Sequence, residues 1–309
     1  MKTNHIFYAV RNDANQYLYQ WLTEEKPLAV VQVIHGMAEH AARYERLAQY
    51  LTDRGIAVYA DDHQGHGLTV TDGKSWGVLA EKDGFAEMVE SEKIITDKIR
   101  KDHPDTPVFL FGHSMGSFIA RHYITKYGNA VDGVIISGTG NPSNIELSGG
   151  YFLAALQCLI FGKKASANLL NELSFGGYNK KFAPTRTSFD WLSRDEAEVD
   201  KYVADPMCGN VFPTGFYLEF FRALLFLKRN KAVYLIPKDL PVFFLSGEKD
   251  PVGNAGKGVR NVYEKYRRHG VQNLEMHLFP GGRHEMLNEI NRLEVMAVLY
   301  EWVRKNIEK

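Results

Sequence analysis

The chain has 309 residues, 45% hydrophobic and 24% charged, proportions that support a sizeable core and exclude disorder, collagen-like repeats and coiled coil. Its 37 basic side chains balance its 37 acidic ones, so no summed field holds a polyanion and nucleic acid is not an expected partner. Two cysteines, Cys158 and Cys208, cannot build a disulfide framework or a four-thiolate metal site, and each is expected to be a small buried apolar residue.

The N-terminal stretch MKTNHIFYAV lacks the apolar run of a signal peptide. The longest apolar run, Tyr151–Phe161, is broken by Gln157 and falls short of the roughly 20 residues of a spanning helix. On both counts the chain reads as cytoplasmic. His5–Val10 and Gln16–Leu22 read as strands joined by the polar turn Arg11–Asn15. Near-continuous apolar runs then follow at 28–34, 56–60, 108–111, 134–136, 242–245 and 274–278, the pattern of strands covered on both faces. Helical apolar spacing lies between and after them, over 43–52, 85–100, 117–127, 258–268 and 290–307. Such alternation predicts an α/β fold with a mostly parallel sheet and helices on both sides.

One stretch breaks the alternation. Residues 141–236 show no clear buried strand, yet 16 of the chain's 38 aromatic residues fall in these 96 positions. A solvated linker would be aromatic-poor, so this is an ordered insertion, read as a cap over a pocket. The core is then 1–140 together with 237–309.

The string Val108-Phe-Leu-Phe-Gly112-His113-Ser114-Met115-Gly116 is a G-x-S-x-G turn with a strand before it and a helix after it. The turn is tight enough that side chains at Gly112 and Gly116 would clash, and Ser114 is held with its hydroxyl exposed at a helix N-terminus. A serine hydroxyl needs a base, and the base needs an orienting acid. The order Ser, acid, His is met by Asp250 and His284, both in glycine-marked loops after late strands. Glu248 is the fallback acid. His277 should lie within a strand and His269 at a helix end, which leaves His284 as the base. The oxyanion needs two donors: the Met115 N–H, and the Met37 N–H of loop His35-Gly36-Met37-Ala38-Glu39-His40, where Gly36 lets the backbone turn. The cluster Asp61-Asp62-His63-Gln64-Gly65-His66-Gly67 offers metal-type donors together with His35 and His40. A complete serine arrangement makes a metal redundant, so this loop is read as hydrogen-bonded support for the oxyanion loop. No cofactor is expected.

On these strings the chain resembles the α/β-hydrolase superfamily and, within it, the monoacylglycerol lipase and lysophospholipase group, also called serine aminopeptidase-type. The matching pieces are His35–His40, Asp62–Gly67, Gly112–Gly116, Gly247–Asp250 and His284, spread over nearly the whole chain. The resemblance implies a triad of Ser114, Asp250 and His284, an oxyanion hole at Met37 and Met115, and a cap over 141–236. One departure is visible: the family's loop often carries glycine where this chain has Ala38.

The implied activity is hydrolysis of carboxylic esters through an acyl-enzyme. The aromatic-rich cap suggests single-chain lipids such as monoacylglycerols or lysophospholipids. The apolar segment Thr214–Arg229, followed by Lys231, has two readings: an interfacial helix in peripheral contact with a membrane, or a buried helix with solvated ends. Three rivals stay open. A peptidase would need an anchor for an α-amine, such as Glu146, Glu172 or Glu219; an acyltransferase would exclude water; a non-catalytic binding protein would not use the triad. Epoxide hydrolase and dehalogenase chemistry needs an aspartate where Ser114 stands.

Overall fold

The computed structural model describes residues 1–10 and 15–307. The turn expected over Arg11–Asn15 therefore lies, apart from Asn15, outside the described residues. The strands are β1 (Lys2–Ala9), β2 (Asn15–Leu22), β3 (Ala29–Ile34), β4 (Ile56–Asp62), β5 (Val108–His113), β6 (Gly133–Ser137), β7 (Val242–Gly247) and β8 (Leu274–Phe279). They form one sheet in the order β1-β2-β4-β3-β5-β6-β7-β8. The hairpin β1–β2 and the pair β2–β4 are antiparallel, and every later pair is parallel.

The helices are α1 (Glu45–Thr52), α2 (Gly84–Asp102), α3 (Met115–Tyr127), α4 (Asn144–Phe161), α5 (Asn168–Phe175), α6 (Glu196–Ala204), α7 (Thr214–Lys228), α8 (Asn230–Tyr234), α9 (Lys257–Arg268) and α10 (Arg292–Ile307). Strands β3 to β7 are buried along their whole length, as their apolar runs require. Alternate residues serve two cores. Val108 and Leu110 pack with Ile95, Ile99, Ile119 and Val259 of α2, α3 and α9, while Phe109 and Phe111 pack with Leu47, Leu51, Leu299 and Trp302 of α1 and α10. The sheet thus has helices on both faces, the α/β-hydrolase arrangement. Gln32, buried in β3, keeps its amide paired with Glu92 Oε2 at 2.7 Å and Thr96 Oγ1 at 2.7 Å, so the polar group costs the core little.

Element ends differ from the sequence reading by a few residues. The helix expected from Arg43 starts at Glu45 after a 3-10 turn over Ala41–Tyr44, and β4 runs on to Asp62. Asp62 holds this corner by accepting from the Ala41 and Leu68 amides at 2.8 and 2.7 Å.

Helices α4 to α8 all lie between β6 and β7 in sequence. Here the open reading of Thr214–Arg229 is decided and two expectations are corrected. Helix α7 is the buried one: Phe216, Tyr217, Ala223, Leu224 and Leu227 face inward, and it packs on α2, α3 and α4. The exposed apolar face belongs instead to α4, where Ile145, Phe152, Leu159, Ile160 and Phe161 are exposed. Helix α4 is also longer than the run that marked it. At 18 residues and a mean hydropathy of 1.2 it reaches the length and apolar content at which a helix can cross a membrane, while only 11% of it is buried. Finally, Cys158 and Cys208 are half-buried rather than buried, because Cys158 sits on this solvent-facing helix and Cys208 in a loop.

Candidate active site

Strand β5 ends at His113, and α3 begins at Met115, so Ser114 alone makes the turn. It does so at φ 53°, ψ −117°, a left-handed conformation that costs a non-glycine residue about 1–3 kcal/mol and needs outside support. The support is local: the Ser114 N–H donates to Ser137 O at 2.9 Å, and Ser117 Oγ donates to Ser114 O at 2.6 Å. A side chain at Gly112 would fall on Gly116 O, and one at Gly116 on Ile34 O. Both glycines are therefore required by close backbone approach rather than by φ. Ser114 stays partly exposed while His113 and Met115 are buried.

Asp250 lies fully buried in the loop after β7, and His284 in the loop after β8. His284 Nδ1 faces Asp250 Oδ1 at 3.0 Å, and Asp250 is further fixed by the Val252 N–H at 2.9 Å and Ser246 Oγ at 3.2 Å. Burial alone would lower the His284 pKa. The Asp250 carboxylate, with Glu285 and Glu39 beyond, overcomes that and holds it above the ordinary value. The His284 ring is flanked by His113 and by Trp191 at centroid distances of 4.7 and 5.0 Å. Its Cε1 borders Gly138, next to the Ser137 carbonyl that holds the Ser114 amide. His284 thus pairs with Asp250 and lies near the backbone that holds Ser114, although no hydrogen bond joins the Ser114 hydroxyl to His284 among the described residues. Glu248 is exposed, and among the described residues its carboxylate meets only the Gly281 N–H, at 3.4 Å. His277 lies within β8, and His269 follows the end of α9.

The loop after β3 lies against Ser114: a side chain at Gly36 would reach to 3.1 Å from Ser114 Cβ. His35 sets the orientation of this loop. Its Nε2 accepts from the His63 N–H at 3.1 Å, so its proton sits on Nδ1, which donates to Gly36 O at 2.7 Å. With the Gly36 carbonyl turned to His35, the trans Gly36–Met37 peptide points the Met37 N–H the opposite way. Neither the Met37 nor the Met115 N–H has an acceptor among the described residues. Burial and the neighbouring His63 and His66 lower the His35 pKa well below its usual value, which keeps the ring neutral in this tautomer. Ala38, where the resembled family often has glycine, takes φ 55°. The cost is offset from α6 and the loop after it, since Tyr202 Oη and the Gly209 N–H both donate to Ala38 O at 2.9 Å.

The His-rich loop after β4 is hydrogen-bonded support. His63 stacks on His35 at 3.9 Å, and its Nδ1 lies 3.0 Å from Asp61 and 3.2 Å from Glu92. Burial, then the Asp61 charge, pushes the Glu92 carboxyl up to about 7. Burial, then the His63 charge, lowers His66 to about 3.

Sequence reasoning missed an ion network behind the site. Glu39 Oε1 accepts from the Gly36 N–H at 2.6 Å and from Tyr44 Oη at 3.0 Å, and Glu39 Oε2 accepts from Arg43 Nη1 at 2.7 Å. Arg43 also grips Glu285 through both oxygens, at 2.7 and 2.6 Å. One guanidinium therefore ties the loop carrying Met37 to the loop carrying His284. Burial would raise Glu285, but Arg43 holds it down at about 2. The one available signal was the glutamate beside each motif histidine, Glu39–His40 and His284–Glu285; nothing in the pattern named Arg43 as their partner.

A family model described as serine aminopeptidase, S33 (Hydrolase_4) matches residues 25–291. The chain is 28% identical to a monoacylglycerol lipase of Mycolicibacterium smegmatis, covering 92% of this chain and 90% of that protein. It is likewise 28% identical to the monoglyceride lipase of Mus musculus, over 96% of this chain and 89% of the relative. Among solved structures, a thermostable carboxyl esterase from Bacillus coagulans in complex with glycerol superposes with a TM-score of 0.92 at 28% identity, over 99% of both chains.

Proposed function

This chain belongs to the serine aminopeptidase, S33 family and is a serine-type ester hydrolase, and on that premise we propose that it hydrolyses single-chain lipid esters of the monoacylglycerol type with Ser114, Asp250 and His284 as its triad. The observation that carries the residue roles is the His284–Asp250 contact of 3.0 Å beside the strained, partly exposed Ser114. His284 takes the Ser114 proton as the oxygen attacks the ester carbonyl, and Asp250 holds the ring and balances the imidazolium. The oxyanion forms against the Met37 and Met115 N–H groups. His284 then protonates the leaving alcohol, and a water repeats the sequence in reverse to free the fatty acid. Each backbone donor of this kind contributes about 3 kcal/mol of barrier lowering.

Two observations support a lipid over a peptide. The exposed face of α4 is apolar, as a chain drawing substrate from a lipid surface requires, and we place its peripheral membrane contact there. Glu146, a possible amine anchor, is instead spent in the α4 capping box, where it accepts from the Ser143 N–H at 2.7 Å. The test is a chain-length series of monoacylglycerols and p-nitrophenyl esters run beside aminoacyl amides. Ser114→Ala is expected to cut turnover by about 10⁶. Wild-type turnover in that variant refutes the triad, and a preference for aminoacyl amides over every ester refutes the substrate class.

A further inference from the structure

Three donors of different chemistry meet outside the hydrolytic site, between the loop after β3 and the segment after α6. His40, Asp205 and Cys208 each bring one ligand-type atom, and these atoms all lie within 4.8 Å of one another. From them we propose a binding site for a thiophilic divalent cation, of which zinc is the type, that ties the insertion to the loop carrying Met37.

The local backbone builds the site. The Met207 N–H donates to Asp205 Oδ1 at 2.9 Å and the Cys208 N–H to Asp205 O at 3.0 Å, a tight turn that brings the carboxylate and the thiol to one side. With Oδ1 held by the backbone, Oδ2 is the oxygen offered to His40, whose Nε2 lies 2.8 Å away. This is the arrangement in which a second hydrogen bond orients a carboxylate ligand. The other ring nitrogen, His40 Nδ1, is buried with no partner among the described residues. The imidazole is thus pinned at one end only, and carries an unsatisfied acceptor in a side chain just 4% exposed.

The donor set selects the class of ion. Imidazole, carboxylate and thiolate together suit zinc and similar borderline ions, and a thiolate excludes magnesium and calcium. Zinc bond lengths imply donor separations of about 3.2–3.8 Å, so the side chains need shift only by about 0.5–1 Å. Access is open: His40 and Asp205 line a cleft of about 800 Å³ together with Arg46, Glu198 and Lys201, and Cys208 is half-buried. Water fills the fourth position. Charge closes as well, since one carboxylate and one thiolate neutralise a dication. Arg43, whose charge acts on Asp205 and Cys208, is already held by Glu39 and Glu285.

The protons balance. The Cys208 thiol gives up one proton to solvent as the sulfur binds. His40 binds through an unprotonated ring nitrogen, either Nδ1 after a ring flip or Nε2 with the ring proton on Nδ1. Binding therefore releases the thiol proton. Tyr202 and Gly209, which brace Ala38, flank the same segment, so a bound ion reinforces a tie that already crosses from insertion to core.

The test uses the full chain, stripped with chelator, desalted and titrated with Co²⁺. The native chain is expected to saturate at one ion per chain with a near-ultraviolet thiolate-to-cobalt charge-transfer band, which Zn²⁺ then bleaches. Cys158→Ser keeps the band and Cys208→Ser loses it, while Asp205→Asn weakens Co²⁺ binding by about tenfold or more. Zn²⁺ should raise the melting temperature of the native chain and of Cys158→Ser but not of Cys208→Ser. Metal-free melting of Cys208→Ser reports its fold, and should match the native chain because Cys208 is only half-buried. Absence of the band in the native chain, its persistence in Cys208→Ser, or unchanged affinity in Asp205→Asn overturns the site. All these readouts are independent of ester hydrolysis.

Discussion

In the proposed mechanism His284 must be neutral to take the Ser114 proton, so its pKa sets the acid limb of activity. Because Asp250 holds that pKa above the ordinary 6.5 despite burial, kcat/KM should rise with pH through a midpoint above 6.5. Asp250→Asn removes the largest charge opposing burial. The midpoint should then move down and the rate fall by about 10⁴; an unmoved midpoint would show that Asp250 does not govern the base. Arg43 is testable by stability instead. Arg43→Met leaves two buried carboxylates without their cation, at a cost of about 3–5 kcal/mol by thermal or denaturant unfolding at pH 7. Glu285 sits at about 2 in the folded chain against an ordinary 4.5. Its depressed value contributes stability that is present above pH 4.5 and lost as pH falls toward 2. The gap between Arg43→Met and the native chain should accordingly narrow below pH 4.5. A constant gap would mean that the Arg43–Glu285 pair adds nothing.

At the scale of elements, the turn from β5 to α3 leaves no room for a side chain at either of its glycines. Gly116→Ala would drive a methyl group into the Ile34 carbonyl, so β3 and α3 would have to part, at about 1–3 kcal/mol or more. The expected outcome is a lower melting temperature with kcat falling further than KM rises, because Met115 and the loop after β3 move together; a native melting curve would refute the packing argument. This turn was legible in the sequence because its causes are short-range: an apolar run, two glycines at fixed offsets and a helical pattern lie within a few residues of Ser114. Helix α7 was not legible in the same way. Its segment is apolar nearly all round, and only its burial against α2, α3 and α4 distinguishes a core helix from an interfacial one.

For the whole molecule, the proposed membrane contact puts the exposed face of α4 against lipid. Phe152 and Leu159 on α4 are 70% and 84% exposed, so replacing both by glutamate should change stability by no more than about 0.5 kcal/mol each. Co-sedimentation with phospholipid vesicles should fall sharply in that double variant, while hydrolysis of a short soluble ester stays at the native rate. Undiminished vesicle binding would move the contact elsewhere.

The amino-acid sequence by itself determined the alternation of strands and helices, the Ser114 turn, and the chain order that brings the loops of Asp250 and His284 to one end of a parallel sheet. These follow from local periodicity, glycine sterics and the handedness of βαβ connections, which act within a few tens of residues. Only the tertiary structure decided that Arg43 joins Glu39 to Glu285, that Tyr202 and Gly209 brace Ala38, that Asp205 and Cys208 face His40, and that α4 rather than α7 shows its apolar side to solvent. Several of these contacts join residues more than 150 positions apart. Their partners carry no shared period or motif, and burial on a particular face is a property of the packed chain that no short window of sequence contains.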